Sequence, residues 1–313
     1  MTSVREELPS GMLDFSMASL PIRLLALDID GTLLNPQFQI SEDDLAAIRR
    51  AHALGVEIVV ATGRRHQFAL PVASKLGVDL CLISSNGAVT RSLAGERFHR
   101  DLLPAETCRA MCAAMDEFRG HLVVTFDKET KGALVLEHLN DLGASIRKWL
   151  ETNLQFIDFV IPIEQALTED PVQAMYCGTI PRMELVQRTL EASAVWGRVN
   201  VLKTEYPERD LCMVDVLNLG CSKGHALERW AKHRGIAQEQ VMAIGDNYND
   251  VEMLEYAGVP VIMGNASEEL RGRGWKVTLP NSSSGVAAAI EEVVFGREPV
   301  LAWGRPPSAV RQG

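Results

Sequence analysis

No run of apolar residues in this 313-residue chain approaches the roughly 18 that a membrane-spanning helix needs, which argues against a place in the bilayer. Basic charge is also scarce. There are 31 lysines and arginines against 41 aspartates and glutamates, for a net charge of −10. That is the wrong sign for gripping a nucleic-acid backbone. A small anionic substrate stays compatible with this balance if a metal ion and a few lysines or arginines are placed locally. Cysteine is sparse and unpatterned. Cys81, Cys108, Cys112, Cys177, Cys212 and Cys221 form no CxxC pair and share no zinc-ligand spacing with histidine. They are read as reduced thiols of a cytoplasmic protein. Internal repeats and low-complexity segments are absent as well.

What remains is an ordinary globular composition, 47% apolar and 23% charged, with room for one large domain or two moderate ones. The start, "MTSVREELPSGMLDFSMAS", carries Glu6, Glu7 and Asp14 and no apolar h-region, so it does not read as a secretory signal. Residues 1–19 and 297–313 are expected to be flexible tails, with Met1 and Met17 both open as the start. No feature sets an oligomeric state.

Short apolar runs alternate with helical patterns over the first third. "IRLLALDID" (22–30), "VEIVVATG" (56–63) and "DLCLISSNG" (79–87) predict strands. "SEDDLAAIRRAHALG" (41–55) predicts a helix with Ser41 as cap and Gly55 as stop, and 66–77 predicts another. The rhythm resumes late, with helices at 222–235 and 249–258 and strands at 241–246 and 259–264. Strands apolar on both faces predict a parallel sheet covered on both sides. In between, six strand-like runs from "ERFHRDLL" (96–103) to "RVNVLK" (198–203) mix with helices at about 104–118, 141–152 and 182–194. The expectation is an α/β fold: a doubly wound, Rossmann-like core over 20–90 and 206–296, interrupted by an α+β insert over 91–205, an antiparallel sheet with helices on one face.

In open parallel sheets, ligands bind beyond the carboxyl ends of the strands. The first strand runs into "DIDGT", where alternation puts Asp28 and Asp30 on the same side. Two crowded carboxylates raise each other's cost of ionising, so a compensating bound cation is expected. The second strand delivers Thr62 in "ATGR" and the third Asn86 in "SSNGA". Lys223 opens a helix after the insert, and the next strand delivers Asp246, Asn249 and Asp250 in "GDNYND". Singly, Thr62, Asn86 and Lys223 also read as turn or helix-start residues. Clustered acids at buried strand ends are harder to explain without a function.

Taken in order, "LALDIDGTLL", "ATGR", "SKGHAL" and "GDNYNDVEML" resemble the four motifs of the haloacid dehalogenase superfamily. The "SSNGA" segment, the long insert and the late "NSSSGVAAAIEEV" resemble its Cof-like branch of capped sugar-phosphate phosphatases, over about residues 23–295. The resemblance implies that Asp28 is the nucleophile that takes up the phosphoryl group. Asp30 would be the general acid for the leaving oxygen and then the base for water. It implies Mg²⁺ held by Asp28, the Asp30 carbonyl and Asp246, with Asp250 orienting a metal-bound water. Thr62, Lys223 and Asn249, with backbone N–H groups at Ile29 and Gly31, would grip the phosphoryl oxygens. Gly63, Arg64, Asn86 and Gly87 would stand around substrate or behind those groups; Arg64 and Arg65 read equally as helpers in binding phosphate and as exposed helix-start arginines. One carboxylate would be ionised and the other protonated.

The expected activity is therefore Mg²⁺-dependent hydrolysis of a small phosphorylated metabolite, a sugar phosphate or similar monoester, with no nucleic-acid or membrane partner. The insert would close over the site about hinges at residues 88–92 and 203–212. A phosphomutase or phosphotransferase of the same fold, a receiver-like signalling module and a non-catalytic metabolite-binding protein are the rival readings. The segment "YPERDLCMVDVL" (206–217) is assigned no chemistry.

Overall fold

The computed structural model describes residues 22–297, so the expected tails lie, apart from Arg297, outside the described residues. In chain order the elements begin with β1 (Leu24–Leu27), α1 (Glu42–Ala53), β2 (Glu57–Ala61), α2 (His66–Ala73), β3 (Leu80–Ser84), β4 (Val89–Ser92) and β5 (Arg97–Arg100). There follow α3 (Ala105–Ala114), β6 (Leu122–Thr125), β7 (Leu134–Leu136), α4 (Ala144–Glu151), β8 (Ile157–Phe159), β9 (Gln173–Gly178), α5 (Ile180–Glu191), β10 (Val199–Tyr206) and β11 (Leu211–Asn218). The chain then forms α6 (Lys223–His233), β12 (Val241–Gly245), α7 (Val251–Tyr256), β13 (Val259–Ile262), α8 (Glu268–Arg271), β14 (Lys276–Val277) and α9 (Gly285–Val293).

One sheet has the order β14-β13-β12-β1-β2-β3-β4-β5 and is parallel from β14 through β3. Its central strand explains why apolar runs make it. Leu25 and Leu27 of β1 enter one core with α1, α2 and α9, while Leu24 and Ala26 enter another with α6 and α7. Period-two alternation thus buries both faces. The expected cap of α1 is in place: the Asp44 N–H donates to Ser41 Oγ at 3.1 Å, and acids fill the first turn.

The second sheet has the order β10-β11-β9-β6-β7-β8. It is antiparallel except where β7 runs parallel to β8. Helices are not confined to one face: α3 and α5 cover one, and α4 packs on part of the other, the rest of which lines a cavity. Leu122 and Val124 of β6 pack with α3 and α5, whereas Val123 packs with α4.

Sheet membership also departs from the expected division at 91 and 206. β4 and β5 extend the first sheet, because Ser85, Asn86 and Gly87 all have positive φ and turn the chain back antiparallel to β3. The boundary at 206 falls inside the β10–β11 hairpin, which pairs from Val199↔Asn218 to Tyr206↔Leu211. The chain therefore passes between sheets at 101–104 and 219–222. The expected hinges at 88–92 and 203–212 lie instead in β4 and the hairpin, where ladder hydrogen bonds hold the backbone. Among the described residues no helix is long and apolar enough to cross a membrane.

Gly87 is where the reversal meets α6. Its φ is +107°, and a Cβ there would lie 2.1 Å from the Ser222 carbonyl oxygen. Gly87→Ala should therefore lower stability by about 3 kcal/mol, strain and close approach together. Gly95→Ala, also at positive φ but with nothing within 4 Å, should cost only about 1 kcal/mol. Denaturant melts of the two variants check this, and equal losses would remove the close approach as the cause.

Candidate active site

The carboxyl ends of β1, β2, β3 and β12 bring their following residues to one edge. Asp28, Thr62, Asn86 and Asp246 are all buried there. Asp28 N–H still donates to the Ile244 carbonyl and Thr62 N–H to the Ile83 carbonyl, so both sit on the last rungs of the ladder. Lys223, the first residue of α6, is completely buried. Its Nζ donates at 2.7 Å to Asp28 Oδ1 and at 2.7 Å to Asp250 Oδ1. The other oxygen of Asp250 accepts the backbone N–H groups of Asp246 and Asn247.

Asp28, Asp246 and Asp250 each offer an oxygen within 4.8 Å of the others. Their crowding shows in the ionisation. Burial, then the Asp250 carboxylate, pushes Asp28 up to about 7 despite the Lys223 ammonium beside it. Burial and the same neighbours raise Asp246 well above the carboxylate range. Burial alone would lower Lys223, yet Asp250 and Asp28 hold it above its ordinary value. Hard oxygen donors at this density fit a small divalent cation. Gly31 is required here, since a Cβ would meet Asp246 Oδ2 at 2.1 Å.

Asp30 is arranged otherwise. Arg64 donates to both of its oxygens, Nε at 2.7 Å and Nη2 to the other. Arg64 is thus engaged with Asp30 rather than a free helix-start charge. The two aspartates differ in their surroundings: Asp30 is held by a guanidinium, whereas burial and Asp250 push Asp28 up. The reason is local. Asp28 shares one ammonium with Asp250, whereas Asp30 has a bidentate partner.

Of the other expected residues, Thr62, Gly63 and Asn249 line the same cavity as Asp28 and Asp30, about 320 Å³ between the two sheets. Ile29 turns its side chain into the core, leaving only its backbone for a ligand. Gly31 borders a neighbouring hollow. Gly87 lies behind, against the start of α6. Asn86 is a connector: Asn249 Nδ2 donates to its Oδ1 at 2.9 Å, and its Nδ2 donates to Asp215 Oδ2 at 3.0 Å.

That last partner was not anticipated. Asp215, on β11, is buried, and its other oxygen accepts from Gln173 Nε2 at 3.1 Å. Burial pushes it up to about 7, against the hydrogen bond from Asn86 and the charge of Lys223. Asn247 is a second unanticipated connector, its amide exchanging two hydrogen bonds with the Glu205 backbone. Asn265 is a third, donating to the Gly31 carbonyl at 2.9 Å. The only sequence signal for Asp215 is an acid inside the apolar run "CMVDVL"; Asn247 and Asn265 stand in turns and carry none.

A family model for haloacid dehalogenase-like hydrolases matches residues 25–290. An HMP-PP phosphatase of Escherichia fergusonii is 31% identical over 255 residues, covering 80% of this chain and 86% of the relative. A pyridoxal phosphate phosphatase of Escherichia coli, YbhA, is 29% identical over 271 residues, covering 86% and 97%. Among solved structures, a haloacid dehalogenase-like hydrolase of Bacillus subtilis matches with a TM-score of 0.71 at 26% identity, covering 87% of this chain and all of the other.

The ionisation of Asp215 has a measurable sign. Its folded pKa of about 7 lies above the ordinary 3.8, so the folded state binds the proton more tightly than the unfolded chain. Its contribution to stability is full below about pH 4 and is lost as pH rises through about 7, by a few kcal/mol at most. Asp215→Asn keeps the shape, and the Gln173 amide can turn to pair with it. Between about pH 5 and 8 the wild type should lose more stability than the variant in denaturant melts. Parallel losses would clear Asp215 of this role.

Proposed function

The chain belongs to the haloacid dehalogenase-like hydrolases, and from that membership we propose that it hydrolyses small phosphomonoesters with Mg²⁺ through an aspartyl-phosphate on Asp28. The observation that carries the reading is Asp28 at the end of β1, hydrogen-bonded to the buried Lys223 and crowded by Asp246 and Asp250. The phosphatase names of its relatives support the class of reaction.

Asp28, Asp246 and Asp250, with the Asp30 carbonyl, are the residues that would hold Mg²⁺. When bound, the ion would supply the positive charge that keeps Asp28 ionised and offsets that of the phosphoryl group. Asp28 attacks phosphorus, its Oδ–P bond forms, and the bond from phosphorus to the leaving oxygen breaks. Asp30, released from Arg64 and protonated from solvent, gives that oxygen its proton, then takes one from the water that attacks the aspartyl-phosphate and so regains it for the next cycle. Inorganic phosphate leaves and Asp28 is restored. Lys223 has three N–H donors and spends two on carboxylates, so one is left for a phosphoryl oxygen. Thr62 and Asn249 complete the grip from the cavity wall.

The six-stranded sheet with its helices serves as a cap, opening and closing about the two crossings at 101–104 and 219–222, shedding water and choosing the leaving group. Buried, unpaired cysteines at all six positions support a reducing, cytoplasmic compartment.

Phosphate release from a panel of phosphorylated metabolites, with Mg²⁺ or with EDTA, tests the reading. Asp28→Asn should lower kcat by roughly 10³-fold or more, and EDTA should abolish release. Asp30→Asn should lower kcat by about 10²- to 10⁴-fold. Full activity in Asp28→Asn, or in EDTA, would overturn the assignment.

A further inference from the structure

Asp215 has no part in the chemistry derived above, yet it is held where a carboxylate is hard to keep. It is 4% exposed, and its side-chain contacts are two amides, Asn86 Nδ2 at 3.0 Å and Gln173 Nε2 at 3.1 Å. A carboxylate out of water and met only by neutral donors is costly. An apolar side chain would join the two sheets with a smaller penalty. What the carboxylate adds is a single sense, because while ionised it accepts and never donates. Asn86 must turn Nδ2 toward it and Oδ1 toward Asn249, whose Nδ2 donates there at 2.9 Å. Among the described residues Asn249 makes no other side-chain hydrogen bond, and it lines the cavity with Asp28 and Thr62. The surroundings leave these amides little freedom. The Asn86 backbone, at φ +53°, donates its N–H to the Thr62 carbonyl at 2.9 Å. A Cβ on Gly63 would lie 3.1 Å from Asn86 Oδ1 and 3.5 Å from Asn249 Nδ2, so the chain passes closely over both.

We propose that Asp215 is a positioning residue for Asn249: acting through Asn86, it holds that amide where it grips the phosphoryl group. This rests on the phosphatase reading above, which places Asn249 among the phosphoryl-binding groups. Asp215 stands on the six-stranded sheet and Asn86 on the eight-stranded one, so the grip is complete only while the sheets are in contact. The action is on the phosphoryl group and is the same whatever the leaving group.

Calorimetric titration with orthovanadate, which has the phosphoryl shape and no leaving group, reads the grip directly. It is run with Mg²⁺ at about pH 8, above the value of about 7 to which burial pushes Asp215, so that the carboxylate is ionised. Asp215→Leu, similar in size and unable to accept, should weaken binding at least about tenfold, the lower end of what partners that orient metal-binding side chains are worth. Asp215→Asn should stay within about threefold: its amide oxygen still accepts from Asn86, and two equally filled senses cost only a factor of about two. Asn249→Ala should weaken binding by itself, and on that background Asp215→Leu should add less than about twofold. Should Asp215→Leu fail to fold, Asn86→Gly, which keeps the positive φ without strain, removes the middle link and should show the same loss and the same disappearance. No loss in Asp215→Leu, an equal loss in Asp215→Asn, or a full loss persisting beside Asn249→Ala would overturn the proposal. So would a wild type that binds no orthovanadate, whatever it hydrolyses. Phosphate release from acetyl phosphate and phenyl phosphate by the wild type is read alongside. No release from either, with the coupling in orthovanadate binding intact, would sink the hydrolytic reading and leave the role of Asp215 standing.

Discussion

Lys223, buried at the start of α6 and held by Asp28 on one side and Asp250 on the other, is the contact on which the surrounding arrangement depends. An ammonium at the positive end of a helix and out of water is costly twice over, and only its two carboxylates at 2.7 Å make the position tenable. Holding them there requires the rest. Asp250 is fixed by two backbone N–H groups of its own loop. The turn at Gly87 backs directly onto Ser222, which caps α6. Removing either carboxylate would strand a buried charge, so this triad constrains the sheet edge as well as the chemistry.

The triad is also unbalanced. Asp28, Asp246 and Asp250 crowd together around one ammonium, and the strain appears as raised pKa values at Asp28 and Asp246. A site built only for stability would not carry this imbalance, because hydrophobic replacements would serve as well. Asp30, two residues from Asp28, is paired with Arg64 instead. The different surroundings of the two aspartates thus come from their neighbours, not from their spacing.

This difference marks what can be read from sequence. Strand ends in a parallel sheet converge whatever the loops do, so Asp28, Thr62, Lys223, Asp246 and Asp250 were legible as a group from local patterns alone. Asp215 was not. Its partners Asn86 and Gln173 lie 129 and 42 residues away, and a carboxylate inside an apolar strand gives no hint of which amides will meet it. The same limit governs the sheet boundaries. "ERFHRDLL" has a strand's alternation in either sheet, and only three consecutive positive-φ residues at 85–87 assign it to the first. Arg65 reads equally as a phosphate-binding residue and as an exposed helix start, because its burial against the Lys128 carbonyl is invisible along the chain.

One continuous hydrogen-bond chain, Asn249–Asn86–Asp215–Gln173, runs from the residue expected to hold the phosphoryl group to the cavity wall on the six-stranded sheet. Its first two members stand on the eight-stranded sheet and its last two on the six-stranded one, so it exists only while the sheets are together. Each link uses a fixed donor–acceptor sense, and Asp215 can only accept while ionised. That sense dictates the orientation of both amides: Asn86 must present Nδ2 to Asp215 and hence Oδ1 to Asn249, and Gln173 must present Nε2 and hence turn Oε1 away. Contact between the two sheets therefore fixes the orientation of both amides at once. One buried carboxylate, Asp215, thus sets the sense of hydrogen bonds that begin on one sheet and end on the other.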